Sequence, residues 1–534
     1  MMRTQAEQLD DSARITVSSN TFEQHNIVIV GAAFSGLGMA AILKRNGMTD
    51  FVVIEKADSL GGVWRDNTYP GCSCDVPQQL YSYGFQPADD PAVRYPGQRM
   101  ILDYLDDVAD REDLRSHMRF GAAVVEAIYD GAGRWDLVTS TGARYRARYL
   151  IWAVGQLHRP YIPDIPGRKS FRGSMFHSAR WNGRQDLTGR TVAVVGTGAS
   201  ALQLVPEIAE AAGKVVVFQR TPQWVLPRPP ERFGRLRQWA FRHSRTLRRG
   251  YRAAVFLCAD LVLTPIMTRG WSARPATWVA SRHLRRHVPD RDLRSRLTPH
   301  YPLGAKRILL SNRWYPALQR GNVDLVTAPI ECVTTTGVET AERHHRVDTI
   351  IWSTGFRATE FLAPAHIRGS DGADLRQMWS TGAYAYLGVA LPRFPNMFMI
   401  AGPGSFISHG SNPFIHECQS KLILAAIRNA DRSKWTAVEI DEHIMRAYRR
   451  WFERATRSTV FSTVHSWYRT SAGRIVTPWP ASATLFACLA RRSSRGAFNA
   501  ASKSANAQGN PHFSPSMNQR MIRVLLGTGL HRRA

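Results

Sequence analysis

The 534-residue sequence predicts an α/β protein in which one β-turn-α-β unit is built twice, with a helical segment inserted further along. Three observations carry this. A β-branched run, Asn26-Ile-Val-Ile-Val30, leads into a glycine turn and an apolar helical pattern. Short continuous runs of this kind are buried parallel strands. The same order returns at Thr191-Val-Ala-Val-Val195. Between 231 and 300 the composition then changes to sixteen arginines, four acids and no lysine, with Leu and Trp at rough helical spacing.

In the first unit, the strand 26–30 is followed by Gly31-Ala-Ala-Phe34-Ser35-Gly36, a helical pattern over 37–45, and a second strand Phe51-Val-Val-Ile54 ending in Glu55. A tight glycine turn lets backbone N–H groups and a helix N-terminus face a pyrophosphate. An acid ending the second strand accepts hydrogen bonds from ribose hydroxyls. Ala33 stands where a glycine usually allows the closest approach, and its methyl is expected to shift the pyrophosphate slightly. In the second unit, Gly196-Thr197-Gly198-Ala199-Ser200-Ala201 follows the strand, with a helix over 202–212 and a strand over 214–218. Glu55 lies 24 residues after Gly31, and Arg220 lies 24 residues after Gly196. A carboxylate suits two free ribose hydroxyls, and a guanidinium suits a 2′-phosphate. The first unit therefore predicts FAD and the second NADPH.

Strand-like runs follow at 323–327 and 347–352, the latter entering Ser353-Thr-Gly355-Phe356, a further glycine turn. Another strand and glycine turn are expected over 396–402, and helices over 416–430 and 438–457. Residues 1–24 read as a flexible leader. From 490 to the end there is no acid, and Ser, Asn, Gly and Ala dominate, which reads as a disordered basic tail.

At this length two or three domains are expected. With 44% hydrophobic and 10% aromatic residues, disorder is excluded for the bulk of the chain. The net charge is +28, with only eight lysines. It is read as a solvated arginine-rich surface rather than a nucleic-acid platform, since no aromatic-basic motif accompanies it. The six cysteines include no CxxC, and Cys72-Ser-Cys74 is too tight for a common zinc site, so no metal is expected. No CxxxxC redox pair accompanies the first glycine turn, which argues against a flavin disulfide reductase. Free thiols and the absence of a signal peptide point to the cytoplasm. No 18-residue apolar run exists. The most apolar patch, 253–267, is read as a buried helix, with a membrane-surface contact as the alternative.

One further stretch lies just before the second glycine turn: Phe171, Gly173, His177 and Trp181 in the pattern F-x-G-x-x-x-H-x-x-x-W. With both glycine turns, this pattern resembles the fingerprint of Baeyer–Villiger monooxygenases, a group of class B flavin-dependent monooxygenases. The resemblance spans about 25–490. Asn182 departs from the Pro or Asp usual in the family. Gly61-Gly62-Val63-Trp64 and Tyr69-Pro-Gly-Cys-Ser-Cys-Asp75 resemble the flavin-contacting loop. The segment 218–224 resembles the NADPH-phosphate segment, and Gly304-Ala-Lys306-Arg307 the segment supplying the active-site arginine.

The resemblance implies two Rossmann-like dinucleotide-binding domains: FAD at 25–157 and 385–490, NADP at 158–230 and 304–384, with a helical insertion at 231–303 and a tail at 491–534. It implies a C4a-peroxyflavin route inserting one oxygen atom of O2 beside a ketone carbonyl, giving an ester or lactone. Arg307 would be the catalytic cation and Asp75 its holder. Arg220, Thr221 and Lys306 would grip the 2′-phosphate. Glu55, Lys56 and Tyr81 complete the flavin-side set, and Gly355 the turn after the 347–352 run. The linker 171–181 is expected to couple the two domains, with no acid–base role for His177. The rival readings are a flavin monooxygenase oxidising nitrogen or sulfur, and a nucleotide-binding protein with little catalysis.

Overall fold

A computed structural model describes residues 21–501, apart from positions 89, 182 and 184. The family departure at Asn182 and most of the expected leader and tail lie outside the described residues.

Both expected β-turn-α-β units form. In the first, strand Glu23–Val30 enters the turn, helix Phe34–Arg45 follows, and strand Phe51–Ile54 returns parallel with Ile27 beside Phe51. Their sheet runs His366–Arg368, Val124–Tyr129, Trp135–Thr139, Arg144–Trp152, Glu23–Val30, Phe51–Ile54, Met118–Arg119, and Met397–Met399 also pairs with Arg144–Trp152. The second sheet is all parallel, in the order Val323–Val326, Lys214–Phe218, Thr191–Val195, Thr349–Trp352, Ser174–His177. Strands buried on both faces need apolar residues at every position, not alternate ones. Ile27 to Ile29 and Val192 to Val194 are accordingly fully buried.

Several expectations need correction. The leader read as ending at 24 ends earlier, because Glu23 already begins the first strand. The chain is back in the first sheet at His366–Arg368, inside the 304–384 range assigned to the second unit. The helix expected over 438–457 is a strand, Val438–Ile440, and then helix Glu442–Arg457, whose N-cap Asp441 accepts from the Ile444 N–H. The tail read as disordered from 491 is ordered to 501. Helix Ala483–Ser493 packs on helix Asn412–Arg432, and Phe498–Ala500 pairs with Val438–Ile440. Low acidity there concealed Phe498, which is buried in the first core.

The insertion is helical, but its apolar patch is not a buried helix. A continuous helix runs Arg245–Met267, with a π-helical turn at Ala259–Leu263. It is long and apolar enough by composition to cross a membrane, contrary to the shorter segment read from the sequence. Leu257 and Leu261 face outward, whereas Asp260 is buried. The Asp260 carboxylate accepts from the N–H groups of Ala483 (2.6 Å) and Thr484 (3.1 Å), the first turn of helix Ala483–Ser493. An anion belongs at that end of a helix dipole.

Candidate active site

The two glycine turns are built the same way. Gly31 has φ +110°, and a Cβ there would lie 2.7 Å from the carbonyl oxygen of Ala153. Gly196 has φ +108°, and its Cβ would lie 2.6 Å from the carbonyl oxygen of Ser353. Each glycine thus lets its turn press on the residue that leaves the neighbouring parallel strand. Those neighbours repeat as well: Trp152-Ala-Val-Gly155 and Trp352-Ser-Thr-Gly355 lie 200 residues apart, and both end in a glycine of positive φ. This pairing was missed in the sequence, where only the second copy stood out. Gly36 lies under the Gly31 carbonyl and Ala201 is fully buried, so both shape the turns from behind. Ala33 finds its room at Gly62: a Cβ on Gly62 would come within 2.7 Å of the Ala33 methyl, and glycine leaves that space open.

Glu55 is buried at the end of its strand. Its carboxylate accepts from Ala32 N–H (2.8 Å) and Ala57 N–H (3.1 Å), and Arg65 lies 3.5 Å away. A carboxylate has about four acceptor positions, so room remains for a hydroxyl. Trp64 donates from Nε1 to the Tyr81 hydroxyl (3.1 Å), and Tyr81 meets Phe34 edge-on.

Arg307 and Asp75 are 232 residues apart in the chain and meet in a two-pronged ion pair, Nε–Oδ2 3.0 Å and Nη2–Oδ1 2.5 Å. Burial works against the guanidinium charge. The Asp75 charge and hydrogen bonds more than offset this and hold its pKa above the ordinary value. Phe406 lies beside the guanidinium, with its ring centre 6.0 Å away. The loop 69–75 that presents Asp75 is tied on two sides. Cys74 N–H donates to Pro96 and Gln98 N–H donates to Cys72 within the first unit. On the other side Gln203, in helix Ala199–Ala211, bonds the Tyr69 hydroxyl (3.0 Å) and the Ser73 carbonyl (2.9 Å). Gly71 lies against the Gln203 carbonyl, where a Cβ would sit at 2.7 Å. Burial pushes the Cys72 thiol up to about 11 and the Cys74 thiol higher, so neither is a ready thiolate.

At the second turn, Lys306 is lowered to about 8, first by burial and then by the nearby Arg220 charge. Two neighbouring cations at one wall suit a dianionic group. Thr221 borders the same wall, and its carbonyl accepts from the Thr197 hydroxyl (3.1 Å).

The linker forms an edge. Ser174–His177 is the outermost strand of the second sheet, with His177 beside Trp352. His177 Nδ1 accepts from Ala179 N–H (3.1 Å), which leaves Nε2–H to donate to the Gly355 carbonyl (2.9 Å). Burial lowers its pKa to about 4, so it is neutral near pH 7. A Cβ on Gly173 would strike the Asp348 carbonyl at 2.3 Å. Phe171 packs on the core behind the second sheet, and Trp181 meets Phe176 edge-on. The Trp181 carbonyl accepts from Thr68 of the first unit (3.4 Å).

One cavity of about 1030 Å³ joins these parts, reaching from Gly31, Glu55, Lys56, Val63 and Trp64 past Asp75, Tyr81 and Arg307 to Gly196, Ser200, Arg220 and Gly355. Phe171, Gly173 and Trp181 do not border it. It exceeds the size of an ordinary small-molecule pocket of about 300–1,000 Å³. Residues given no role from the sequence also line it: Gln156, His158, Phe406, His416 and Trp467. Buried polar atoms of four lining residues have no partner among the described residues, namely Trp152 Nε1, Gln156 Oε1, His158 Nδ1 and Ser353 Oγ. Such atoms ordinarily find one, and two dinucleotides laid along the twin turns would supply polar groups beside them. The residues present therefore fit both cofactors. No group of three or more His, Cys, Asp or Glu suited to a metal occurs among the described residues.

Two dinucleotide-type turns on one cavity, with a half-buried cation between them, define an oxidoreductase of the two-nucleotide class. Residues 28–233 match the family model described as pyridine nucleotide-disulphide oxidoreductase. A Baeyer-Villiger monooxygenase of Streptomyces coelicolor is 36% identical over 482 residues, covering 88% of this chain and 91% of that protein. Cyclohexanone monooxygenase from Rhodococcus sp. Phi1 bound to NADP+ superposes with a TM-score of 0.80 at 28% identity, covering 90% of this chain and 99% of that one. OTEMO in complex with FAD and NADP gives a TM-score of 0.81 at 26% identity, covering 89% and 99%. The chain belongs to the Baeyer–Villiger monooxygenase family.

Proposed function

We propose that this enzyme uses FAD, NADPH and O2 to place one oxygen atom beside the carbonyl of a small-molecule ketone, giving an ester or lactone. The Arg307–Asp75 pair, held on the cavity wall between the two glycine turns, is the observation that supports this most. When bound, NADPH supplies reducing equivalents and FAD the oxygen-activating chemistry.

The chain's own residues do the rest. Attack on a ketone carbonyl builds negative charge on its oxygen, and a fixed cation there stabilises the transition state more than the ground state. Arg307 suits this because arginine stays protonated when partly desolvated. Asp75 fixes the direction of the fork. Arg220, Lys306 and the Thr221 hydroxyl hold the 2′-phosphate, and Glu55 holds a ribose on the flavin side. Phe406 and Trp467 line the apolar side of the cavity, where they keep water from the reacting centre. His177, neutral and bonded at both nitrogens, couples the linker to the Gly355 turn and moves no proton.

Replacing Arg307 by alanine should cut ester formation about 100- to 1000-fold while the purified protein stays yellow. Product mass and flavin absorbance, measured on one sample, check this. Undiminished ester formation would refute the role given to Arg307. A panel in which only amines and sulfides are oxidised would replace the ketone by a heteroatom substrate.

A further inference from the structure

We propose that the outward face of the helical insertion docks on an anionic lipid bilayer, with its leucines and tryptophans in the interface and its arginines on lipid phosphates.

Eight of the eleven large apolar side chains exposed among the described residues fall within 236–279. Single exposed apolar residues scattered over a surface carry no meaning, but a concentration does. The Arg245–Met267 helix is built inside out. Its outward stripe is Gly250, Ala253, Ala254, Leu257, Cys258 and Leu261, all exposed and at the i, i+3, i+4, i+7 spacing of one face. Its inward face carries the polar groups: Arg252 donates to the Gln79 carbonyl and to Ser82 (3.2 Å), and Asp260 holds the first turn of helix Ala483–Ser493. A helix bound to the body at two points along its length cannot run across a bilayer, so it lies in the plane of one.

Beside it a groove of about 460 Å³ has an apolar floor of Ile266, Leu303 and Val460 and a rim of Arg269, Arg274 and Arg285. Trp278 closes one side, and nearby Trp271 is 69% exposed. No carboxylate among the described residues lines the groove. The four acids of the 231–300 segment are engaged elsewhere. Glu231 pairs with Arg228, Asp260 is buried, Asp290 caps the helix Arg291–Leu297, and Asp292 pairs with Arg296. Arginines around an apolar slot, with no acid among the described residues lining it and flanked by tryptophan, match the headgroup layer of an anionic membrane. A second copy of the chain would set arginines against arginines, which like-charge repulsion opposes.

The test is co-sedimentation of the full-length, FAD-loaded protein with vesicles of phosphatidylcholine alone and of phosphatidylcholine with phosphatidylserine. Binding is expected to the mixed vesicles, and to weaken as salt is added. Leu257→Gln with Leu261→Gln should lower the partition about tenfold or more. Arg269→Gln, Arg274→Gln and Arg285→Gln together should abolish the preference for phosphatidylserine. Both variants should keep wild-type flavin content. Failure of the wild-type protein to bind mixed vesicles, or wild-type binding by both variants, overturns the proposal. So does a dimer in sedimentation equilibrium that the leucine variant dissociates, since a second copy then covers the face.

Discussion

Lys306 and Arg220 set two neighbouring cations on one wall of the cavity. Burial and the neighbouring guanidinium hold the Lys306 amine near pKa 8, below its ordinary 10.5, so above that pH the free enzyme carries one cation fewer at this wall. NADPH affinity should therefore fall between about pH 7 and about pH 9, whereas NADH, without the 2′-phosphate, should change less. Fluorescence titration with both cofactors at the two pH values checks this, and parallel curves would remove Lys306 from the phosphate site. The residues Glu55 and Arg220 were legible in the sequence because each sits at a fixed distance from a glycine turn. Arg307 and Asp75 were legible only through family resemblance, since no spacing rule joins residues 232 positions apart. Gln156, His158 and His416 escaped notice because a lone polar residue in an apolar stretch has no pattern until the fold surrounds it.

Among the elements, the edge strand Ser174–His177 depends on Gly173. Gly173→Ala would drive a methyl into the Asp348 carbonyl, and the strand must shift off Thr349–Trp352 to relieve it. Weaker NADPH binding with a lower melting temperature is expected, while FAD content is retained. The Asp260 carboxylate tests a different joint: Asp260→Ala should cost about 1–3 kcal/mol, the usual cost of leaving buried N–H donors unpaired. Thermal unfolding measures it, and an unchanged midpoint would show that water replaces the carboxylate. Both β-turn-α-β units could be read directly because buried parallel strands leave continuous apolar runs. The same logic fails at 253–267, where the apolar run reads as buried although Arg252 and Asp260 mark the inward side. It fails again at 438–440, where three residues carry too little periodicity to separate strand from helix.

At the scale of the molecule, burial lowers His158, His177, His409 and His416 to about 4, and each is neutral in the folded protein near pH 7. The unfolded chain takes up these protons first, near the ordinary histidine value of about 6.5. Stability is therefore complete above that value and falls as pH drops toward about 4. Denaturant midpoints measured across this range should decline steadily, and a flat profile would show that the imidazoles stay accessible to protons in the native state. The loop 69–75 has a mechanical consequence for the same molecule. It is bonded to the Pro96–Gln98 segment of one half and to Gln203 of the other. Any swivel of the two halves that keeps both sets of bonds must pivot close to this loop, as a door turns about its pin. Points near a pivot hardly travel. The Asp75 carboxylate and the guanidinium it grips would thus stay nearly still while the outlying wall of Arg220 and Lys306 sweeps past, a stationary charge in a moving frame.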